Sequence, residues 1–184
     1  APPNVVAFDD ETWDVIPRGS GRVGVLGVAG AIPAGYYKDP TKSASTFREI
    51  NGVRYSVPGD YAVIDADGTM HLLGRGSVCI NTGGEKVYPE EVEVVARAVN
   101  GVADCTVVAV PDDRFGNAVT AVVSLKAGTS ITGDELVSEM RKSLAAYKCP
   151  KHVVFVETVY RSPSGKADYK ITRDVALTAL GLSD

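Results

Sequence analysis

The chain has 184 residues, 45% hydrophobic and 23% charged, with a formal net charge of -4, a balance that describes folded globular units rather than a disordered tail. The negative charge and the 7% of aromatic residues exclude a basic, stacking face for nucleic acid, and no apolar run is long enough for a transmembrane segment, which needs about 18 residues or more. Three scattered cysteines (Cys79, Cys105, Cys149) and two distant histidines (His71, His152) exclude a zinc site or a disulfide framework, so no metal site is expected in this chain and a reducing, cytoplasmic setting fits.

In chain order, residues 4–8 (NVVAF) read as a strand, the acidic turn DDET follows, and residues 13–16 (WDVI) read as a second strand. Residues 22–28 (RVGVLGV) form another. In residues 39–47 (DPTKSASTF), Asp39 as N-cap with Pro40 at the first position predicts a short helix. Asn51-Gly52 predicts a two-residue hairpin turn, and YAVID, ADG and TMHLL repeat strand, turn and strand. This succession predicts a small, antiparallel β-barrel-like subdomain over residues 1–74.

The rhythm then changes. Residues 88–100 (YPEEVEVVARAVN) place Val92, Val95, Ala96 and Val99 on one helical face, behind Pro89 and the acidic first turn Glu90-Glu91. CTVVAV and NAVTAVVSL predict strands. Thr132 and Glu135 form a capping box at the head of a predicted helix over 132–147, whose apolar face is Leu136, Met140 and Leu144. A strand at HVVFVETV, the loop SPSGK and a helix at YKITRDVALTAL follow. The fold class is therefore α+β, with a compact α+β domain over residues 75–184. The glycine-bordered junction Gly74-Arg75-Gly76-Ser77 suggests a hinge between the two parts.

The phosphate-binding pattern GxxxxGK[ST] is not present. Three stretches instead occur in a fixed order, VPGDYAVIDADGTMHLLGRG, INTGGEKVYPEEVE and SPSGK, accompanied by GYYKDPTKSASTF and AVPDDRFGNAV. Together they resemble the C-terminal third of adenylate-forming acyl-CoA synthetases, the superfamily that includes luciferase and the adenylation domains of peptide synthetases. The wording is most similar to actinobacterial fatty-acid or steroid side-chain CoA ligases. The resemblance implies that residues 1–74 end a large N-terminal domain and that 75–184 are a mobile C-terminal domain. It also implies that the chain is a piece of a longer, cytoplasmic enzyme, inactive alone. The implied substrates are small molecules: a carboxylic acid, ATP and CoA. Mg2+ is implied as cofactor, with its ligand in the absent N-terminal part.

In that family a carboxylate attacks the α-phosphorus of ATP, and a thiol then displaces AMP from the acyl adenylate. The resemblance gives Lys166 the catalytic role in the first step, where a compact ammonium on a mobile loop meets the crowded anions. It gives Asp60 and Arg75 to the ribose of the nucleotide, and Lys86 to a phosphate. Ser77 falls at the hinge position, where many members carry Asp or Lys. Gly83 and Gly84 are implied to lie along the pantetheine arm of CoA, Tyr147 to stack on its adenine and Lys151 to meet its phosphate. Cys149 reads as inert, with no histidine near it in sequence. Two other readings are an acyl-AMP ligase that loads a carrier protein and a non-catalytic partner-docking or lid module. The retention of Asp60, Arg75 and Lys166 together argues against the second.

Overall fold

The structure is a computed structural model that describes residues 1–183. The chain divides into two compact units, Ala1–Ser77 and Val78–Asp184.

The first unit is built on one open, antiparallel sheet: β1 (Val5–Phe8), β2 (Gly24–Ala29), β3 (Phe47–Ile50), β4 (Val53–Ser56), β5 (Asp60–Ile64) and β6 (Met70–Arg75). The strand order is β3-β4-β2-β5-β6, with β1 also paired to β2. Its outer strands, β3 and β6, do not join, so the barrel-like expectation resolves into an open sheet. Helix α1 (Pro40–Thr46) is capped by Asp39, whose side chain accepts the Lys42 N–H at 2.9 Å. Asn51 and Gly52, with φ of 51° and 75°, close the β3–β4 hairpin in the mirror-image turn that suits twisted strands. The strand expected at residues 13–16 is reduced to a single bridge, Phe8 to Val15. Trp13 takes a φ of 62°, which breaks the extended run. Val5, Ala7, Ile16, Leu26, Ala62 and Ile64 form one core cluster of this unit.

The second unit opens with the small hairpin β7 (Ile80–Thr82) and β8 (Glu85–Val87), then α2 (Pro89–Ala98). The long strands β9 (Val102–Asp112) and β10 (Gly116–Leu125) pair antiparallel, and β11 (His152–Phe155) joins β10 in parallel. Helices α3 (Gly133–Met140) and α4 (Tyr169–Leu180) complete it. The sheet is covered on both faces. Cys105, Val107, Val119, Ala121 and Val123 pack with Val92 and Ala96 of α2 and Leu136 and Met140 of α3. Val108, Val110, Ala118 and Val122 pack with Ala176 and Leu177 of α4. Burial on both faces explains why CTVVAV, apart from the buried Thr106, is a continuous apolar run instead of an alternating one.

Thr132 and Glu135 make the expected capping box. The α3 helix ends at Met140, however, seven residues before the predicted end. Lys142 and Ser143 donate to carbonyls three residues back, Glu139 and Met140, which tightens the last turn. Leu144 is buried beyond the helix end. On α2 the apolar face is as expected at Val92 and Ala96, but Glu93 is also buried, at 4% exposure. Its carboxylate accepts the Val107 N–H at 3.0 Å, so the side chain ties the helix to β9.

Candidate functional site

The candidate residues fall in three places. In the first unit, Asp60 begins β5 and Arg75 ends β6, and the ladder sets them opposite one another. Arg75 Nε donates to Asp60 Oδ1 at 3.3 Å, with the guanidinium largely exposed. Strand register therefore produces this pair, and both groups stay within reach of a solvent-borne ligand. Gly74 precedes with a φ of 126°. The Gly76 N–H donates to the Gly59 carbonyl at 3.0 Å, closing the strand ends. A Cβ at Gly76 would stand 2.5 Å from Tyr61 Cε2. Glycine is required there by the Tyr61 ring as well as by any need for a soft backbone. Ser77 is exposed, in the 3-10 turn Gly76–Val78 where the units divide.

In the second unit, Gly83, Tyr147 and Lys151 line one cleft of about 440 Å³, together with Phe115, Arg141 and Cys149. Gly83 and Gly84 form the β7–β8 turn with φ of 58° and 89°. The Gly83 N–H donates to the Phe115 carbonyl at 2.9 Å, which docks the turn on the β9–β10 hairpin. Tyr147, in the lining of this cleft, is 45% exposed. Lys151 is ion-paired with Asp112, a carboxylate that also accepts the Arg114 and Phe115 N–H groups at 3.0 Å. The hydrogen bond from Lys151, with those amides, holds Asp112 below the ordinary carboxylate range. The ammonium of Lys151 is thus partly neutralised, whereas Arg141 adds a second cation to the lining. Lys86 is exposed on β8. Cys149 is 7% exposed and burial pushes its thiol up, which keeps it protonated and a poor nucleophile.

Lys166 is exposed at the tip of the loop between β11 and α4. That loop is a hydrogen-bonded turn rather than a slack segment. The Ser162 N–H donates to the Lys166 carbonyl at 2.8 Å, and the Gly165 N–H to the Ser162 carbonyl at 2.8 Å. Arg161 and Ala167 form a bridge below the tip. Arg161 also forks onto Asp104, Nε to Oδ2 and Nη2 to Oδ1, both at 2.7 Å. Asp104 is held below its ordinary range chiefly by this arginine.

Asp104 and Asp112 are eight positions apart on β9. They therefore face the same side of the strand, roughly 26 Å apart at the usual rise per residue. The loop that carries Lys166 is anchored at one end of β9, and the Lys151 cleft at the other. Four charged residues that bear on these places are not evident from motif or periodicity: Glu93, Asp104, Arg141 and Arg161. The available signals were slight, an acidic residue inside a buried stripe and an arginine directly before SPSGK.

This second unit, a three-stranded sheet with helices on both faces and an exposed lysine on its last loop, has the form of the C-terminal domain of adenylate-forming enzymes. Residues 91–166 match the AMP-binding enzyme C-terminal domain. The chain is 54% identical over 165 residues to the 3-oxocholest-4-en-26-oate–CoA ligase of Rhodococcus rhodochrous, covering 90% of this chain and 30% of that protein. It is 52% identical over 169 residues to a medium/long-chain-fatty-acid–CoA/3-oxocholest-4-en-26-oate–CoA ligase of Mycobacterium tuberculosis, covering 92% of this chain and 31% of that one. The ATP-bound crystal structure of MatB from Rhodopseudomonas palustris superimposes with a TM-score of 0.80 at 35% identity, over 93% of this chain and 33% of that chain. The chain thus spans about a third of the length of the proteins it resembles.

Proposed function

We propose that this chain is the C-terminal part of an ATP-dependent acyl-CoA ligase that activates fatty or steroid side-chain carboxylates. The relatives' names support the CoA acceptor and the acyl class. The observation that carries the reading is the placement of two sets of candidate groups at opposite ends of β9, with Lys166 near one and the Gly83–Tyr147–Lys151 cleft at the other.

In the first step the acid's carboxylate oxygen bonds to the α-phosphorus and the bond to pyrophosphate breaks. Lys166 supplies positive charge where the carboxylate and the α-phosphate crowd together. Asp60 accepts hydrogen bonds from the ribose hydroxyls and Arg75 donates to the same sugar. In the second step the CoA sulfur bonds to the acyl carbon and AMP leaves. Tyr147 stacks on the adenine of CoA, Arg141 and Lys151 meet its phosphates, and the Gly83-Gly84 turn lies along its pantetheine arm. Lys86 contacts a nucleotide phosphate. No single pose serves both ends of β9, so rotation of the second unit about Ser77 exchanges them.

Mg2+ is expected with ATP, but among the described residues no group of three or more His, Cys, Asp or Glu could hold a metal ion. No helix among the described residues is long and apolar enough to cross a membrane. The substrates and the cysteine usage support a cytoplasmic site of action.

The test is made on the full-length protein. Lys166→Ala should slow adenylate formation, read as pyrophosphate release, by about 10²–10³-fold. It should spare thioester formation from supplied acyl adenylate. Equal losses in both half-reactions would remove the role given to Lys166.

A further inference from the structure

We propose that Asp104 and Arg161 are positioning residues that hold the Lys166 loop in register for adenylate formation, an inference that rests on the role given to Lys166 above. The Arg161 guanidinium makes three directional bonds. Two go to the Asp104 carboxylate at 2.7 Å, and Nη1 donates to the Gly165 carbonyl at 3.2 Å. That carbonyl belongs to the residue immediately before Lys166. One rigid, planar group thus joins β9, a strand of the covered sheet, to the peptide that carries the lysine.

Asp104 is itself oriented. Its Oδ1 accepts the Cys105 N–H at 2.8 Å and lies 3.8 Å from Arg97 Nη1. Arg97 in turn donates to the Cys105 carbonyl at 3.0 Å and reaches the buried Glu93 carboxylate at 3.5 Å. The chain of contacts therefore runs from the core of α2 to the loop tip. The side chains of Arg161 and Asp104 are only 33% and 26% exposed, so water competes weakly for this pair. Beyond this brace, residues 162–165 are Ser, Pro, Ser and Gly. Their own contacts are the turn bonds and the Ser162–Ser164 hydroxyl pair at 2.9 Å. Such small residues cannot pack the tip in place. A lysine on a four-carbon stem can reach an anion from many loop poses, but the transition state is stabilised only from a narrow range of positions, and an error near 1 Å costs about 10²-fold in rate.

The experiment uses Asp104→Asn, which keeps shape, Arg161→Lys, which keeps charge but loses the fork, and the double variant, all in the full-length protein. Each single change should lower kcat for adenylate formation by about 10- to 100-fold, with KM for ATP and thioester formation from supplied acyl adenylate unchanged. The double variant should be no slower than the slower single, as expected when both changes break one link. In the present chain, hydrogen exchange at the Ser162 amide and at the Asp168 amide, which donates to the Tyr160 carbonyl at 3.1 Å, should accelerate in each variant while the melting temperature moves little. Wild-type adenylation in either single variant, equal loss in both half-reactions, or fully additive losses would each overturn the proposal. If the unmodified full-length protein forms no adenylate while the loop amides still respond, the ligase reading fails, and the positioning role with it. The exchange data distinguish that outcome from failure of the brace alone.

Discussion

Gly76→Ala tests whether the junction's glycine is there for packing. The new methyl group would lie 2.5 Å from Tyr61 Cε2 and 3.3 Å from Cδ2 and Cζ, where carbon atoms rest at about 3.5–4.0 Å. Relief requires a shift of roughly 1 Å by the ring or the strand end, judged against that contact distance. The ring is poorly placed to give way, because the Tyr61 hydroxyl donates to Asp10 Oδ2 at 2.8 Å and Tyr61 pairs with Gly74 in the ladder. Overpacking of this kind costs about 1–3 kcal/mol. For a unit of this size each kcal/mol lowers the melting temperature by about 4–8 °C, giving a fall of roughly 5–20 °C. Calorimetry of the present chain reads it. Because Arg75 adjoins Gly76, any strand shift also disturbs the Asp60–Arg75 pair, and the full-length variant should bind AMP more weakly. In a Tyr61→Ala background the same glycine replacement should add little further loss, since the obstructing ring is gone. An equal fall in both backgrounds, or none in the wild-type background, would refute the packing argument.

Tyr147→Ala should raise KM for CoA by roughly tenfold, from a stacking contribution of about 1–3 kcal/mol, while pyrophosphate release stays unchanged; steady-state kinetics in the full-length protein decide it. Glu93→Gln should change how stability depends on pH. Burial raises the Glu93 pKa above 4.5 against the opposing Val107 N–H and Arg97, so the folded state keeps a proton that the unfolded chain has lost. Wild-type stability therefore falls as pH climbs from the ordinary glutamate range through the raised folded value. Glutamine lacks that loss, and in urea unfolding the variant should gain on the wild type as the pH rises from the ordinary glutamate range through the raised folded value. A constant difference across that range would contradict it. Asp104 is shifted in the opposite direction and remains in both proteins, so it does not mask the comparison.

The features legible from sequence depend on near neighbours along the chain. The Asp39 cap, the Asn51-Gly52 turn, the Thr132–Glu135 box and the Pro89 start of α2 each involve residues at most a few positions apart, and their chemistry selects one local backbone geometry. The helix and strand periods follow from the same locality. The motifs that carry the family resemblance are likewise continuous stretches, which is why they named candidate residues without any knowledge of their surroundings.

What connects those residues was decided by the tertiary fold. Asp104 meets Arg161 across 57 positions and Asp112 meets Lys151 across 39, contacts that exist only once β9, β10 and β11 have assembled in register. The burial of Glu93, the early end of α3 and the open edges of the first sheet depend in the same way on which elements pack against which. An acidic residue or a lysine looks the same in sequence whether it faces water or a partner on a distant strand, because charge and hydrogen bonding act through space and chain order does not set that distance. The sequence determined which local elements form and which motifs they carry; the packing of β9 against α2, α4 and the last loop determined where the charges of those motifs stand.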